Sequence, residues 1–117
     1  MNMDQAIQEL LGAIKQDYID WTGSASKKAG KEEPSDYFQR TIGNWDNTVE
    51  VKTGSKYIKI TRDGSVWGFI VNTDTDKKFD YGDILMAAGY NAPARNKARG
   101  NVFKGYNVKW TGPNYLR

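Results

Sequence analysis

The sequence predicts an α+β domain: an N-terminal amphipathic helix, a mostly antiparallel β-sheet, and short helices before a closing C-terminal strand. Three observations carry this. Apolar residues near the N-terminus recur at a helical period, the middle of the chain alternates between hairpin signals, and the last third holds short apolar runs bounded by glycine and proline. With 117 residues the chain forms one domain over 1–117, since two would each bury too small a core.

From Asp4, the residues Ile7, Leu10, Leu11, Ile14, Tyr18 and Trp21 keep a 3.6 period, which predicts a helix ending near residue 21. Its polar side carries Asp4, Glu9, Asp17 and Asp20, where a membrane-surface helix would be basic. The stripe is therefore core or an oligomer seam. Residues 22–34 mix Gly, Ser and Ala with Lys and Glu and read as a mobile loop. A short helix capped by Ser35 follows over 35–42. Strands are expected at 48–52, 56–62 and 66–72, with Asp63-Gly64 as a two-residue hairpin turn. The third strand is nearly continuous in apolar residues, which places it centrally with both faces covered. Gly68 within it marks a bulge or a close approach by another backbone or ligand. The run Ile84-Leu85-Met86-Ala87-Ala88, stopped by Gly89, predicts a helix, and Asn91 caps a second with Pro93 in its first turn and Gly100 past its end. The sheet and its ligand-binding helices thus occupy 48–112.

Two absences exclude most familiar enzyme chemistry. With 0 Cys and 0 His there is no thiol nucleophile, no imidazole base and no Cys- or His-ligated metal. A non-enzyme is expected, with no cofactor. No run approaches the roughly 20 apolar residues of a membrane span, and the N-terminus lacks a secretory pattern. The expected location is the cytoplasm, that of the host cell if the protein is phage-encoded. Asp74, Asp76, Asp80 and Asp83 contain the start of a calcium loop, but its Gly and closing Glu are missing, so no metal is expected.

Charge is distributed unevenly along the chain. Residues 1–46 carry 5 Lys/Arg against 8 Asp/Glu, residues 47–83 carry 6 against 6, and residues 84–117 carry 6 against none. A basic last third implies an anionic partner, unless its charges pair with the acidic first third. Within it the segment 91–101 places Arg95 and Arg99 four residues apart, with Asn91, Asn96 and Asn101 as amide donors and acceptors among small residues. Guanidinium forks and a helix start would together cradle phosphate. The plain alternative is a surface loop whose Arg residues pair with nearby carboxylates. Aromatic residues interleave with the basic ones, as base stacking requires. Trp67 and Trp110 lie in strand patterns and read as core, while Phe79, Met86 and Tyr90 fit either a core or a ligand.

These residues also carry a family resemblance. The runs Trp67-Gly68-Phe69-Ile70-Val71-Asn72, Lys78-Phe79, Gly82-Asp83-Ile84-Leu85, Ala92-Pro93-Ala94-Arg95-Asn96-Lys97-Ala98-Arg99-Gly100-Asn101-Val102 and Trp110-Thr111-Gly112 resemble a group of small bacteriophage proteins, identified as the Thoeris anti-defence sponges. Those proteins bind nucleotide-derived immune signals such as cyclic ADP-ribose isomers without cleaving them. The resemblance implies a symmetric homo-oligomer with pockets partly at subunit interfaces, which makes the stripe Ile7, Leu10, Leu11 and Ile14 a candidate seam. It also implies that Arg95, Asn96, Arg99 and Asn101 meet phosphate or ribose, with Phe79 or Met86 against the base. With Asn91 these form the expected ligand-binding set.

Three functions follow from the sequence. The first is sequestration of a small phosphate-bearing nucleotide. The second is a nucleic-acid-binding module using the same basic and aromatic residues, and the third is a phage-type structural or inhibitor protein that docks on a host protein.

Overall fold

A computed structural model of the chain describes residues 2–28, 30 and 36–113. Helix α1, Met3–Lys28, opens on a capping box in which the Gln5 amide donates to Asn2 Oδ1 at 2.9 Å and the Asn2 amide to Gln5 Oε1 at 3.2 Å. It runs a full turn and more past the expected end at residue 21. Thr22 is fully buried and donates its hydroxyl to the Ile19 carbonyl at 2.9 Å, a bond made within the helix, and Lys27 and Lys28 suit the negative end of the dipole. Residues 22–28 are thus helical, while residues 29 and 31–34 of the expected loop, and the cap Ser35, lie outside the described residues. Helices α2, Asp36–Gly43, and α3, Trp45–Thr48, lead into the sheet.

Strands β1 (Val49–Thr53), β2 (Tyr57–Arg62), β3 (Ser65–Val71) and β4 (Ile84–Leu85) form an antiparallel sheet in that order. Asp63 and Gly64, at φ 51° and 81°, make the β2–β3 turn in the left-handed region that a two-residue hairpin demands. The pairing slips between Ile60 opposite Gly68 and Thr61 opposite Val66, so Trp67 is the extra residue of a bulge. A Cβ on Gly68 would stand 2.9 Å from both the Leu85 carbonyl oxygen and Pro113 Cγ, so only glycine fits. β3 is central and its last five residues are buried. Ile70 faces one core and Phe69 and Val71 the other, which explains its unbroken apolar run.

The first core lies under α1. Ala6, Ile7, Leu10, Ile14 and Tyr18 pack on Trp45, Ile58, Ile60, Ile70, Ile84 and Val108. Of the expected seam, Ile7, Leu10 and Ile14 are at most 4% exposed and are intramolecular core, while Leu11 is partly buried against it. Aromatic rings close its far end, with Tyr18 4.8 Å from Trp45 and 4.9 Å from Trp110. The Arg62 guanidinium lies 4.2 Å from the Trp45 ring, and Asp17 accepts the Trp110 amide at 2.9 Å. Two Trp residues expected in the core, Trp67 and Trp110, are both packed against it.

The region 79–101 departs from expectation. In place of two helices it holds β4, then β5 (Ala87–Gly89) paired with β6 (Ala92–Pro93), an irregular loop, and β7 (Gly100–Asn101). β8 (Gly105–Tyr106) pairs with β7, and β9 (Val108–Lys109) with β10 (Gly112–Pro113). The reason is burial: Ile84 enters the first core and Leu85 the second, a period of two that a helix cannot supply, and pairing with Ile70 and Phe69 overrides helical propensity. Among the described residues no helix is long and apolar enough to cross a membrane.

Leu10→Ala is expected to cost about 2–5 kcal/mol in chemical denaturation, and Gly68→Ala about 1–3 kcal/mol through forced displacement of β4 or Pro113. A Gly68→Ala protein of unchanged stability would mean that β4 and the C-terminal hairpin are not held as described.

Candidate functional site

The functional residues are positioned by the crossing of three loops. The register of β2 and β3 sets Tyr57 opposite Val71, so Lys56 reaches Asn72, whose amide donates to the Lys56 carbonyl at 2.8 Å. The Asn72 side chain donates to the Gly54 carbonyl at 2.8 Å. This joins the β1–β2 turn to the loop after β3. In that loop the Thr73 and Thr75 hydroxyls share a hydrogen bond of 2.8 Å, and Asp76 caps the next turn by accepting the Lys78 and Phe79 amides at 2.8 and 3.0 Å.

Arg95 arrives from the 94–99 loop as the third element. Its guanidinium donates to both oxygens of Asp76, each at 3.0 Å, donates to the Tyr57 hydroxyl, and lies 5.0 Å from the Phe79 ring. Lys78 secures the loop by donating its Nζ to the Arg95 carbonyl at 2.6 Å. The Arg95 hydrogen bonds, supported by the two backbone amides, hold the Asp76 carboxyl well below the usual carboxylate range. The same pair raises the Arg95 pKa. Asp76 is thus a fixed anion, with a side chain 2% exposed, and a poor proton acceptor.

These parts enclose a cleft of about 470 Å³ lined by Ser55, Lys56, Thr73, Thr75, Asp76, Lys77 and Arg95. Three cations face one carboxylate there, and that carboxylate is committed to Arg95. Among the described residues neither the Lys56 nor the Lys77 ammonium has an ion-pair partner. The hydroxyls of Ser55, Thr73 and Thr75 add neutral donors. Chemically the cleft suits an anion that presents several oxygens.

Of the expected ligand-binding set, only Arg95 lines this cleft. Phe79 is 5% exposed and belongs to the second core. Asn101, also 5% exposed, donates to the Tyr81 carbonyl and Asp83 Oδ1 and accepts the Phe103 and Lys104 amides, so its side chain organises the chain around it. Arg99 donates to Met86 Sδ at 3.0 Å and to Asn96 Oδ1 at 3.3 Å, which gathers three expected contacts into one clasp of the loop. Asn91 accepts from Lys59 Nζ at 2.9 Å, and that ammonium sits 3.6 Å over the Tyr90 ring. With no helix over 91–100, the helix start expected to cradle phosphate does not form. Among the described residues no group of three metal-ligating side chains lies together, and in the Asp74-Thr75-Asp76 run Asp76 is taken by Arg95.

Sequence reasoning did not single out Ser55, Lys56, Tyr57, Thr73, Thr75 or Lys77, of which Lys56 and Tyr57 lie in an expected strand. The available signal was the hairpin: a turn at Asp63-Gly64 fixes the strand register, and the register brings residue 56 to residue 72. No protein-family model, curated protein or solved structure matches the chain.

Because the folded Asp76 pKa lies below its ordinary value of 3.8, its contribution to stability is fully present above that value and is lost as pH falls toward the folded pKa. Stability of the wild type is therefore expected to fall on acidification below about pH 4, with a shallower fall in Asp76→Asn. Equal acid slopes in urea titrations of the two proteins would contradict the Asp76–Arg95 pairing.

Proposed function

We propose that this protein binds a small phosphate-bearing nucleotide in the Arg95 cleft and holds it unchanged. The observation that carries the reading is the meeting of two ammonium groups without an ion-pair partner among the described residues, Lys56 and Lys77, with a carboxylate already neutralised by Arg95, around a cleft of about 470 Å³. That volume lies within the range of small-molecule sites. Lys56 and Lys77 take the phosphate oxygens as point charges, the threonine hydroxyls donate to ribose or phosphate, and Arg95 serves mainly as the wall that keeps Asp76 from repelling the ligand. Turnover is not part of the reading: the one carboxylate lining the cleft resists protonation, and the serine and threonine hydroxyls have no neighbouring base among the lining residues. The resemblance to phage signal sponges points to the same class, with cyclic ADP-ribose-type and cyclic nucleotides as the first ligands to try.

A nucleic-acid reading has a separate observation in its favour. Tyr81 and Phe103 stack at 5.5 Å and 17°, are 40% and 38% exposed, and neighbour Lys104, a platform on which a base could lie. The two readings differ in the number of phosphates neutralised. A strand-binding groove meeting six or more phosphates loses roughly a thousandfold in affinity between 50 and 200 mM salt, and a cleft holding one or two loses far less.

In a thermal-shift screen of cyclic nucleotides, ADP-ribose derivatives and short oligonucleotides, the small nucleotides are expected to raise the melting temperature. Shifts with oligonucleotides alone would overturn the cleft reading. For a ligand so found, Lys56→Ala and Lys77→Ala should each cost about 1.5–3 kcal/mol of binding, roughly ten- to hundredfold in Kd, with stability changed by less than about 0.5 kcal/mol. Arg99→Ala, outside the cleft, is expected to leave Kd unchanged. The ligand recovered after heating the complex should be intact.

A further inference from the structure

β1 is an outermost strand of the sheet, paired with β2 on one side and, among the described residues, with no strand on the other. Its alternation tells which backbone groups face the open side. Asp63 donates its amide to the Thr48 carbonyl and Gly54 its amide to the Tyr57 carbonyl, so the positions of even number point their backbone groups at β2. Val51 and Thr53 therefore turn their N–H and C=O groups outward, as does the Val49 carbonyl. Val51 lies opposite Ile60 on the face that carries α1, and it is 38% exposed. Beside it runs a groove of about 390 Å³ between the strand and α1, lined in part by Leu11, Gly12, Val49 and Val51.

The side chains of the other face carry the decisive feature. Glu50 and Lys52 flank Val51, and Lys52 stands directly across from Lys59 of β2, whose ammonium is taken by Asn91 Oδ1 and the Tyr90 ring, while Lys52 has no ion-pair partner among the described residues. From these observations we infer that the β1 edge joins two copies of this chain, antiparallel about a two-fold axis through Val51, into one continuous sheet. An axis normal to the sheet keeps each residue on its own face, so identical strands pair only in registers centred on a residue. Centring on Glu50 sets Glu50 against itself, and centring on Lys52 sets Lys52 against itself. Centring on Val51 sets each Glu50 against the other copy's Lys52, gives each of these exposed charges an opposite partner, and makes Val51 exchange both backbone hydrogen bonds with its counterpart. Thr53 then donates to the Val49 carbonyl of the second copy, and the outward groups are satisfied reciprocally. The exposed Val51 side chains cover one another at the lip of the groove. None of these residues lines the Arg95 cleft except through the neighbouring β1–β2 turn, so the pairing stands independently of the proposed ligand.

Sedimentation equilibrium of the full chain over a concentration series tests it. The mass is expected to rise from 13.2 kDa toward twice that value. Glu50→Lys and Lys52→Glu should each weaken dimerisation at least tenfold, and the double exchange Glu50→Lys/Lys52→Glu should restore it. Both positions are exposed, and circular dichroism of each variant should match the wild type. Because the chain has 0 Cys, Val51→Cys offers a second readout: mild oxidation should cross-link it to its own copy faster than it cross-links Lys52→Cys. A chain that stays monomeric throughout overturns the pairing and leaves the edge to a strand of some other chain. A dimer indifferent to the single charge reversals, or not restored by the double exchange, overturns the β1 register.

Discussion

The structure depends on one constraint, that β3 must be covered on both faces. Its residues from Trp67 to Val71 are all buried, and a strand of that composition left open on either side would expose several large apolar side chains to water. α1 supplies one cover and a layer built on Phe79 and Leu85 supplies the other. The second cover is what brings the chain back after β3. The return path, from Asn72 through Asp83, must cross the end of the sheet, and its turns carry the loop that holds Thr73, Thr75, Asp76 and Lys77. The cleft is thus a by-product of covering β3, placed where the return loop meets the β1–β2 turn.

At that crossing the Asp76–Arg95 pair does two things that oppose one another in a simpler arrangement. It fixes the 94–99 loop against the return loop, and it removes the carboxylate that lines the cleft from electrostatic competition with an anion. A buried carboxylate without such a partner would be costly and would repel an anion; with Arg95 forked onto both oxygens and two backbone amides behind, it becomes a neutral fitting. The Tyr57 hydroxyl and the Phe79 ring hold the guanidinium from its other sides, so Arg95 keeps its orientation while remaining partly open to solvent, with a side chain 39% exposed.

Some of this was legible in the sequence and some was not, for identifiable reasons. The α+β class, the three strands 48–72, the Asp63-Gly64 turn, the central β3 and the tightness at Gly68 all follow from local rules of period, turn chemistry and backbone approach. The helices expected at 84–88 and 91–100 fail because Ile84-Leu85-Met86-Ala87-Ala88 has a helix-forming composition, and only the two cores on either side of it reveal that alternate residues must part. The helix end at 21 fails similarly: Gly23 and Ser24 look like a loop until Thr22 is seen to be buried. For the site, local reading identified Arg95 but assigned it to a ligand, since its partner Asp76 lies nineteen positions away in a loop whose path depends on the same unpredicted turns. The alternative of an arginine paired with a nearby carboxylate is what Arg95 turned out to satisfy.

Charge along the chain and charge in space are different quantities here, and the difference decides where an anion would bind. The last third is uniformly basic, yet Arg95 is neutralised by Asp76, Lys104 is paired with Asp80 at 3.4 Å, and Arg99 is folded into the clasp with Met86 and Asn96. The middle third is formally neutral, yet it supplies Lys56 and Lys77 to the cleft, because two of its acids are spent on cations of the last third: Asp76 on Arg95 and Asp80 on Lys104. Ion pairing therefore moves part of the positive excess backward along the sequence: Arg95 and Lys104 of the last third take up Asp76 and Asp80 of the middle third, and the lysines of that third lose two counter-charges. A net positive field at the cleft needs only that two lysines outlast one committed aspartate, a condition set by tertiary pairing and invisible to any count of charges per segment.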